Sequence, residues 1–285
     1  LEARPQLLDS ISFVGGGIMG EAMIQGLLSK NLVRANEITV AEPRQERGKE
    51  LQQHYDVKVT DDNRRAAQAS KIIVFSVKPQ DLRMVTRELS GLLRPDQLVI
   101  SIVAGARIDT IRDGLRHDRV VRVMPNTPAQ IGEGISVWTA TPAVDQNQLD
   151  QARTILQALG KEIYMKEERF LDMATAVSGT GPTYVFLVME AMIDAAVHLG
   201  FPRHVAYELV TETIKGSILF AMKSGRHPSE LRNMVTSPGG TSAEALYQLE
   251  KGSLRTVLSK AIWAAYERSK SLGEENGSWR PERQT

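Results

Sequence analysis

Residues 10–20, Ser10-Ile11-Ser12-Phe13-Val14-Gly15-Gly16-Gly17-Ile18-Met19-Gly20, restrict the fold more than any other stretch. A short apolar strand runs into G-x-G-x-x-G, and residues 21–30 continue with helical spacing, placing Met23, Leu27 and Leu28 on one face. Strand, glycines and helix in that order are what a dinucleotide-binding turn requires. Gly15 makes the turn, Gly17 lets a pyrophosphate approach the backbone, and Gly20 permits close helix–strand packing, with Ile18 and Met19 between them. Glu37-Ile38-Thr39-Val40-Ala41 reads as a second strand that ends at Glu42. An acidic side chain about 20 residues beyond the glycines is placed to accept hydrogen bonds from a ribose 2′-hydroxyl. A carboxylate there repels a 2′-phosphate and favours NADH, whereas Arg44 and Arg47 just beyond it would favour NADPH. The balance leans to NADH.

The alternation of strand and helix continues. Residues 71–77 and 98–102 are nearly unbroken apolar runs, as expected of parallel strands covered on both faces, and residues 119–123 form another strand. Residues 134–138 and 162–164 are further strands around a helix at 144–159. In an open parallel sheet, ligands bind beyond the carboxyl ends of the strands, where Lys78, Ala104, Gly105 and Asn126 fall. Residues 1–166 are therefore expected to form an α/β Rossmann-type dinucleotide-binding domain.

Net charge is +1 from 35 basic and 34 acidic residues, so no surface for nucleic acid is indicated. The chain has no cysteine, which excludes disulfides, thiolate metal sites and a cysteine nucleophile. Residues 1–9 lack the apolar core of a signal peptide, and no run of about 18 apolar residues is evident. A soluble, cytoplasmic protein without a membrane partner is expected.

After residue 166 the pattern becomes helical, and residues 167–273 are expected to form an all-α dimerisation and substrate domain, with 274–285 a mobile tail. Ser178-Gly179-Thr180-Gly181-Pro182 is expected to break one helix and start another. Residues 183–199 are apolar almost all round, save a line of Glu190, Asp194 and His198. Such a helix must be buried on several sides, and a homodimer is the simplest remedy. No second ligand cluster accompanies the polar line, so no metal is expected. The late stretch Val235-Thr236-Ser237-Pro238-Gly239-Gly240-Thr241-Ser242-Ala243-Glu244 is a glycine-rich loop feeding a helix, with Thr241 and Glu244 at capping-box spacing. Its free first-turn N–H groups and the helix dipole make it a cradle for a small anion, a carboxylate or phosphate.

A nicotinamide-binding half joined to a helical half with an anion cradle indicates a dehydrogenase or reductase of a small carboxylate. The chain resembles the Δ1-pyrroline-5-carboxylate reductase family over residues 10–272. The resemblance is carried by the glycine turn, Val77-Lys78-Pro79-Gln80, Ser101-Ile102-Val103-Ala104-Gly105, Val123-Met124-Pro125-Asn126-Thr127-Pro128, Ser178-Gly179-Thr180-Gly181-Pro182 and the late loop. It implies hydride transfer from NADH or NADPH to the C=N carbon of the cyclic imine, giving L-proline. It also implies a cofactor site of Gly15, Gly17, Ile18, Met19, Gly20, Glu42, Asn63, Val77, Lys78, Pro79, Ala104, Gly105 and Asn126. The substrate site would comprise Val235, Ser237, Gly239, Gly240, Thr241 and Ser242, in a helix-swapped homodimer assembled further into pentamers of dimers. The family's threonine near the imine nitrogen falls on Ser242, which keeps the hydroxyl and loses the methyl; either Ser242 or Thr241 faces the nitrogen. Thr180 and Thr183 stand where the family usually has serine and alanine. The alternatives are a reductase of a related cyclic imine, a 3-hydroxyacid dehydrogenase using Lys215, and a nucleotide sensor without turnover.

Overall fold

The computed structural model describes residues 8–277 of the 285. It divides into two compact units, residues 1–180 with 265–285, and residues 181–264. The sequence boundary at 166 marks where strands stop; the compact boundary falls later, and the last part of the final helix returns to the first unit.

The first unit runs β1 Ile11–Val14, α1 Ile18–Ser29, β2 Ile38–Ala41, α2 Gln45–Tyr55, β3 Lys58–Thr60, α3 Asn63–Ala69, β4 Ile72–Phe75, α4 Leu82–Glu88, β5 Leu98–Ser101, α5 Ile108–Leu115, β6 Val120–Met124, β7 Gly134–Ala140, α6 Gln146–Gln157, β8 Gly160–Tyr164 and α7 Arg169–Ala174. The eight strands form one sheet in the order β3-β2-β1-β4-β5-β6-β7-β8. All pairs are parallel except β6–β7, where Val121 lies opposite Ala140 and Met124 opposite Val137. β1, β2, β4 and β5 are buried along their whole lengths, the physical reason their sequences are continuous apolar runs rather than alternating ones. The short strand β3, absent from the sequence-based expectation, is partly exposed at the sheet edge. At the other end, the buried Trp138 of β7 donates from Nε1 to Glu162 Oε2 of β8 at 2.6 Å, and Tyr164 meets it edge-on at 4.8 Å.

In the second unit, α8 Gly181–His198, α9 Arg203–Ser224, α10 Pro228–Met234 and α11 Thr241–Lys251 precede α12 Leu254–Gly277, which crosses back into the first. Its small core consists of Ile193, Ala206 and Val210. Val185, Phe186, Leu187, Val188 and Met192 of α8 and Ile218, Leu219, Phe220 and Met222 of α9 remain exposed. Apolar surface on this scale marks an association face.

Three expectations are corrected. The Ser178–Pro182 stretch does not break the chain's helical course: a π-helical turn, Thr175–Gly179, joins α7 to α8, and the Thr180 N–H and hydroxyl both bond the Thr175 carbonyl at 2.8 and 2.9 Å. The resulting helix, Arg169–His198, is long and apolar enough to cross a membrane by length and composition alone. The mobile tail was expected from residue 274, but α12 continues through Gly277, and the remainder lies outside the described residues.

A buried histidine sets a pH dependence of stability. His117 Nε2 bonds the Gln97 carbonyl at 2.8 Å, and burial depresses its pKa below the usual 6.5 despite that bond. The unfolded chain therefore takes up this proton before the folded one does, so stability is lost as pH falls below 6.5 toward the folded value. The midpoint of thermal unfolding should fall more steeply between pH 7 and 5 in the wild type than in His117→Gln; parallel profiles would exclude the assignment.

Candidate functional site

The glycine turn at the carboxyl end of β1 is locked by contacts that leave no room for side chains. Gly15 has φ +103°, and a Cβ there would lie 2.9 Å from the Ser76 carbonyl oxygen. The Ser76 hydroxyl donates to the Gly15 carbonyl at 2.7 Å. A Cβ on Gly20 would meet that same carbonyl at 2.8 Å, so Gly20 packs beneath the turn and does not line the cleft. Gly17 caps α1, and a Cβ on it would meet only the Ser76 carbonyl, at 4.0 Å. Its open side faces the cleft, which is where a pyrophosphate approaching the N-terminus of α1 needs room.

The peptide of Gly16 is gripped from both sides. Glu42 Oε2 accepts the Gly16 N–H at 3.1 Å, and Arg47 Nε donates to the Gly16 carbonyl at 2.9 Å. Arg47 also pairs with Glu21 and Glu50, and the Tyr55 hydroxyl donates to Glu21 at 3.1 Å. Glu42 is buried, and its remaining acceptor positions take the Arg44 backbone N–H at 3.1 Å and the Arg44 guanidinium at 2.9 and 3.2 Å. Burial pushes the Glu42 pKa up, but the Arg44 hydrogen bonds and charge, with the Gly16 N–H, prevail and hold it below the ordinary value. Glu42 lines a cleft beside the glycine turn, with both carboxylate oxygens engaged by its own loop. The Arg44 side chain, 67% exposed, is what this corner presents.

A cleft of about 520 Å³ runs over the strand ends, lined by Gly17, Ile18, Met19, Val77, Lys78, Pro79 and Ala104 among others. A second, of about 470 Å³, shares Gly17, Arg44, Ser76, Val77 and Lys78 and extends past Gly15, Glu42 and Asn63 to Met84. Two expected members lie elsewhere. Gly105, at φ +68°, is turned against α12, where a Cβ would sit 2.8 Å from Leu272 Cβ. Asn126 uses Oδ1 to accept the Ile135 N–H at 2.9 Å, holding the start of β7. Ser76 and Glu21 were missed, and Arg47, read from sequence as a phosphate partner, also holds the Gly16 carbonyl and Glu21, because these contacts depend on elements brought together only by folding.

In the second unit, Gly239 has φ +69°, which favours glycine, and Gly240 packs closely on Ser237, whose Oγ would lie 2.6 Å from an added Cβ. The helix cap is Gly240, not Thr241, and no side chain caps it; the expected Thr241–Glu244 capping box does not form because Thr241 is already helical. The Gly240 carbonyl accepts from Ala243 and Glu244, which leaves the first-turn donors of Thr241 and Ser242 outside the helix ladder. Thr241 is exposed and Ser242 half-buried. Lys215, the residue a hydroxyacid dehydrogenase would need, is exposed and paired with Glu212 at 3.1 Å.

Replacing Glu42 by Gln removes the charge that joins Gly16 to Arg44. It should lower unfolding free energy by about 1.5–3 kcal/mol, the worth of hydrogen bonds to a charged group, and weaken dinucleotide binding; denaturant titration unchanged from wild type would refute the clamp.

Comparison with known proteins agrees with both halves. Residues 168–272 match the family model for pyrroline-5-carboxylate reductase dimerisation, and residues 10–105 match that for NADP oxidoreductase, coenzyme F420-dependent. The pyrroline-5-carboxylate reductase of Synechocystis sp. is 38% identical over 93% of this chain and 98% of its own. That of Methanosarcina acetivorans is 37% identical over 93% and 98%. Among solved structures, the Plasmodium falciparum pyrroline carboxylate reductase with NADP bound superposes with a TM-score of 0.86 at 31% identity, over 94% of this chain and 99% of that one. The Coxiella burnetii pyrroline-5-carboxylate reductase does so with 0.84 at 35%, over 93% and 98%. With a glycine turn built for a dinucleotide and this identity along nearly its whole length, the chain belongs to the pyrroline-5-carboxylate reductase family.

Proposed function

We propose that the protein reduces Δ1-pyrroline-5-carboxylate to L-proline with NADPH, acting as a homodimer. The observation that carries the substrate assignment is the first turn of α11, where Gly239 and Gly240 free the backbone donors of Thr241 and Ser242. A planar carboxylate suits that turn, since aligned N–H groups and the helix dipole both favour an anion. Ser242, half-buried in the same turn, is the hydroxyl assigned to the imine nitrogen. When bound, the reduced nicotinamide supplies the hydride for the C=N carbon. The residues orient the imine and exclude water; little acid–base apparatus is required because a protonated imine is already electrophilic. The alternative with Lys215 as general acid is disfavoured, since its ammonium is solvated and engaged by Glu212.

NADPH is preferred over NADH for a physical reason. The lean to NADH rested on Glu42 facing the ribose, but Glu42 is engaged within its loop, while Arg44, which binds it through Nε and Nη2, stays exposed and lines the same cleft as Asn63. A guanidinium so placed is suited to a 2′-phosphate. The homodimer is supported by the exposed apolar faces of α8 and α9 within the matched dimerisation region.

Steady-state assay with pyrroline-5-carboxylate and either cofactor tests the activity, and absence of turnover with both refutes it. Ser242→Ala should lower kcat about 100-fold, the lower end of what one positioned proton-handling group contributes, with dinucleotide affinity unchanged; unaltered kinetics would transfer the role to Thr241. Arg44→Ala should reduce the NADPH-to-NADH preference in kcat/KM about 10–100-fold, in line with loss of a 1.5–3 kcal/mol charged hydrogen bond, whereas an equal fall with both cofactors would exclude Arg44 as the discriminating residue.

A further inference from the structure

Beyond the residues that line the cleft, a buried ionic hub sits behind its β5 end. Arg122 lies on β6 between buried valines, and its side chain is only 4% exposed. A guanidinium cannot remain there without partners that replace its lost hydration. α7 supplies them from one face: Glu168, at its N-cap, accepts from Arg122 Nη1 at 2.7 Å, and Asp172, one turn later, accepts from Nη2 at 2.9 Å.

Each carboxylate also reaches a second element. Glu168 Oε1 accepts the Ile108 N–H at 2.8 Å, one of the free donors at the start of α5, and therefore fixes the end of the loop of residues 102–107. Asp172 Oδ1 accepts the buried Ser269 hydroxyl of α12 at 3.1 Å. α12 in turn backs the same loop, because Leu272 and Gly273 pack directly against Gly105. The loop is thus held at its exit by Glu168 and from behind by α12, with both supports meeting at one guanidinium. Its other side, Ile102, Val103 and Ala104, forms a wall of the cleft that also contains Gly17, Lys78 and Pro79. This wall stands at the β5 end, across the glycine turn from the Glu42–Arg44 corner on β2.

We propose that Arg122, Glu168 and Asp172 are positioning residues for the nicotinamide half of the dinucleotide, acting through the loop of residues 102–107 without touching the cofactor themselves. The inference rests on the dinucleotide site described above. A hub of this kind governs one half of the ligand and leaves the adenosine half alone, a distinction that general destabilisation of the fold would not produce.

Calorimetric titration separates the two. Wild type, Glu168→Ala, Glu168→Gln and Gly105→Ala are each titrated with NADP+ and with 2′,5′-ADP, and in parallel with NAD+ and ADP. Glu168→Ala should weaken the dinucleotides about tenfold while leaving the adenosine-half ligands within about twofold, the scale expected of small misplacements at a distance. Glu168→Gln keeps an acceptor oxygen and should recover most of the loss. Gly105→Ala displaces the loop from its α12 side with the hub intact, through a methyl group placed 2.8 Å from Leu272 Cβ, and should reproduce the Glu168→Ala pattern. Equal weakening of both ligand classes, or no weakening of either, overturns the proposal. Failure of the wild type to bind any dinucleotide overturns the site itself and is distinguished by that control.

Discussion

The nucleotide-binding unit depends on one close approach. At Gly15 the chain passes so near the end of β4 that even a methyl group would strike the Ser76 carbonyl, and its φ of +103° is one that other residues rarely adopt. Because the turn is this tight, α1 begins directly over the strand ends and points its N-terminus into the cleft. Ser76, Glu42 and Arg47 then each fix a backbone atom of Gly15 or Gly16. The geometry of the turn is consequently set by contacts within the protein, so it is ordered by folding itself.

Glu42 shows how a residue can be located from sequence while its partners within the chain stay hidden. Its place at the end of β2 followed from strand spacing and the distance from the glycines, and the structure puts it there. What spacing could not express was competition for its lone pairs. Three donors from its own chain, the Gly16 N–H, the Arg44 N–H and the Arg44 guanidinium, already surround the carboxylate. The carboxylate is therefore engaged within its own loop, and the side chain of its partner Arg44 is what stays exposed there.

The helical unit illustrates the opposite balance. Its apolar residues were conspicuous in sequence, and an all-round apolar helix forces the conclusion that something covers it. Within one chain the cover is missing: Ile193 is the one buried residue of α8, and its Phe186 and Leu187 are exposed. The family model matched to residues 168–272 is a dimerisation model, which accounts for the exposed surface. The same composition carries Arg169–His198 over a threshold of membrane-spanning apolarity, a reminder that a buried association helix and a spanning helix share one signature.

Continuous apolar runs, glycine spacing and the change from strand to helical rhythm were sufficient to determine the α/β sheet, the dinucleotide turn and the helical second half, because each depends on local periodicity. The short strand β3 escaped, since Lys58–Thr60 is only partly buried and carries little apolar signal. The late loop was read as a capped turn feeding a helix, but its cap belongs to Gly240, a matter of backbone dihedrals that a Thr–Glu spacing does not reveal. Only tertiary structure decided that Arg122 is buried and shared between Glu168 and Asp172, residues more than forty positions away in the chain. Periodicity encodes which face of an element is buried; it does not encode which distant charge will be waiting there, because that depends on how elements far apart in sequence pack together.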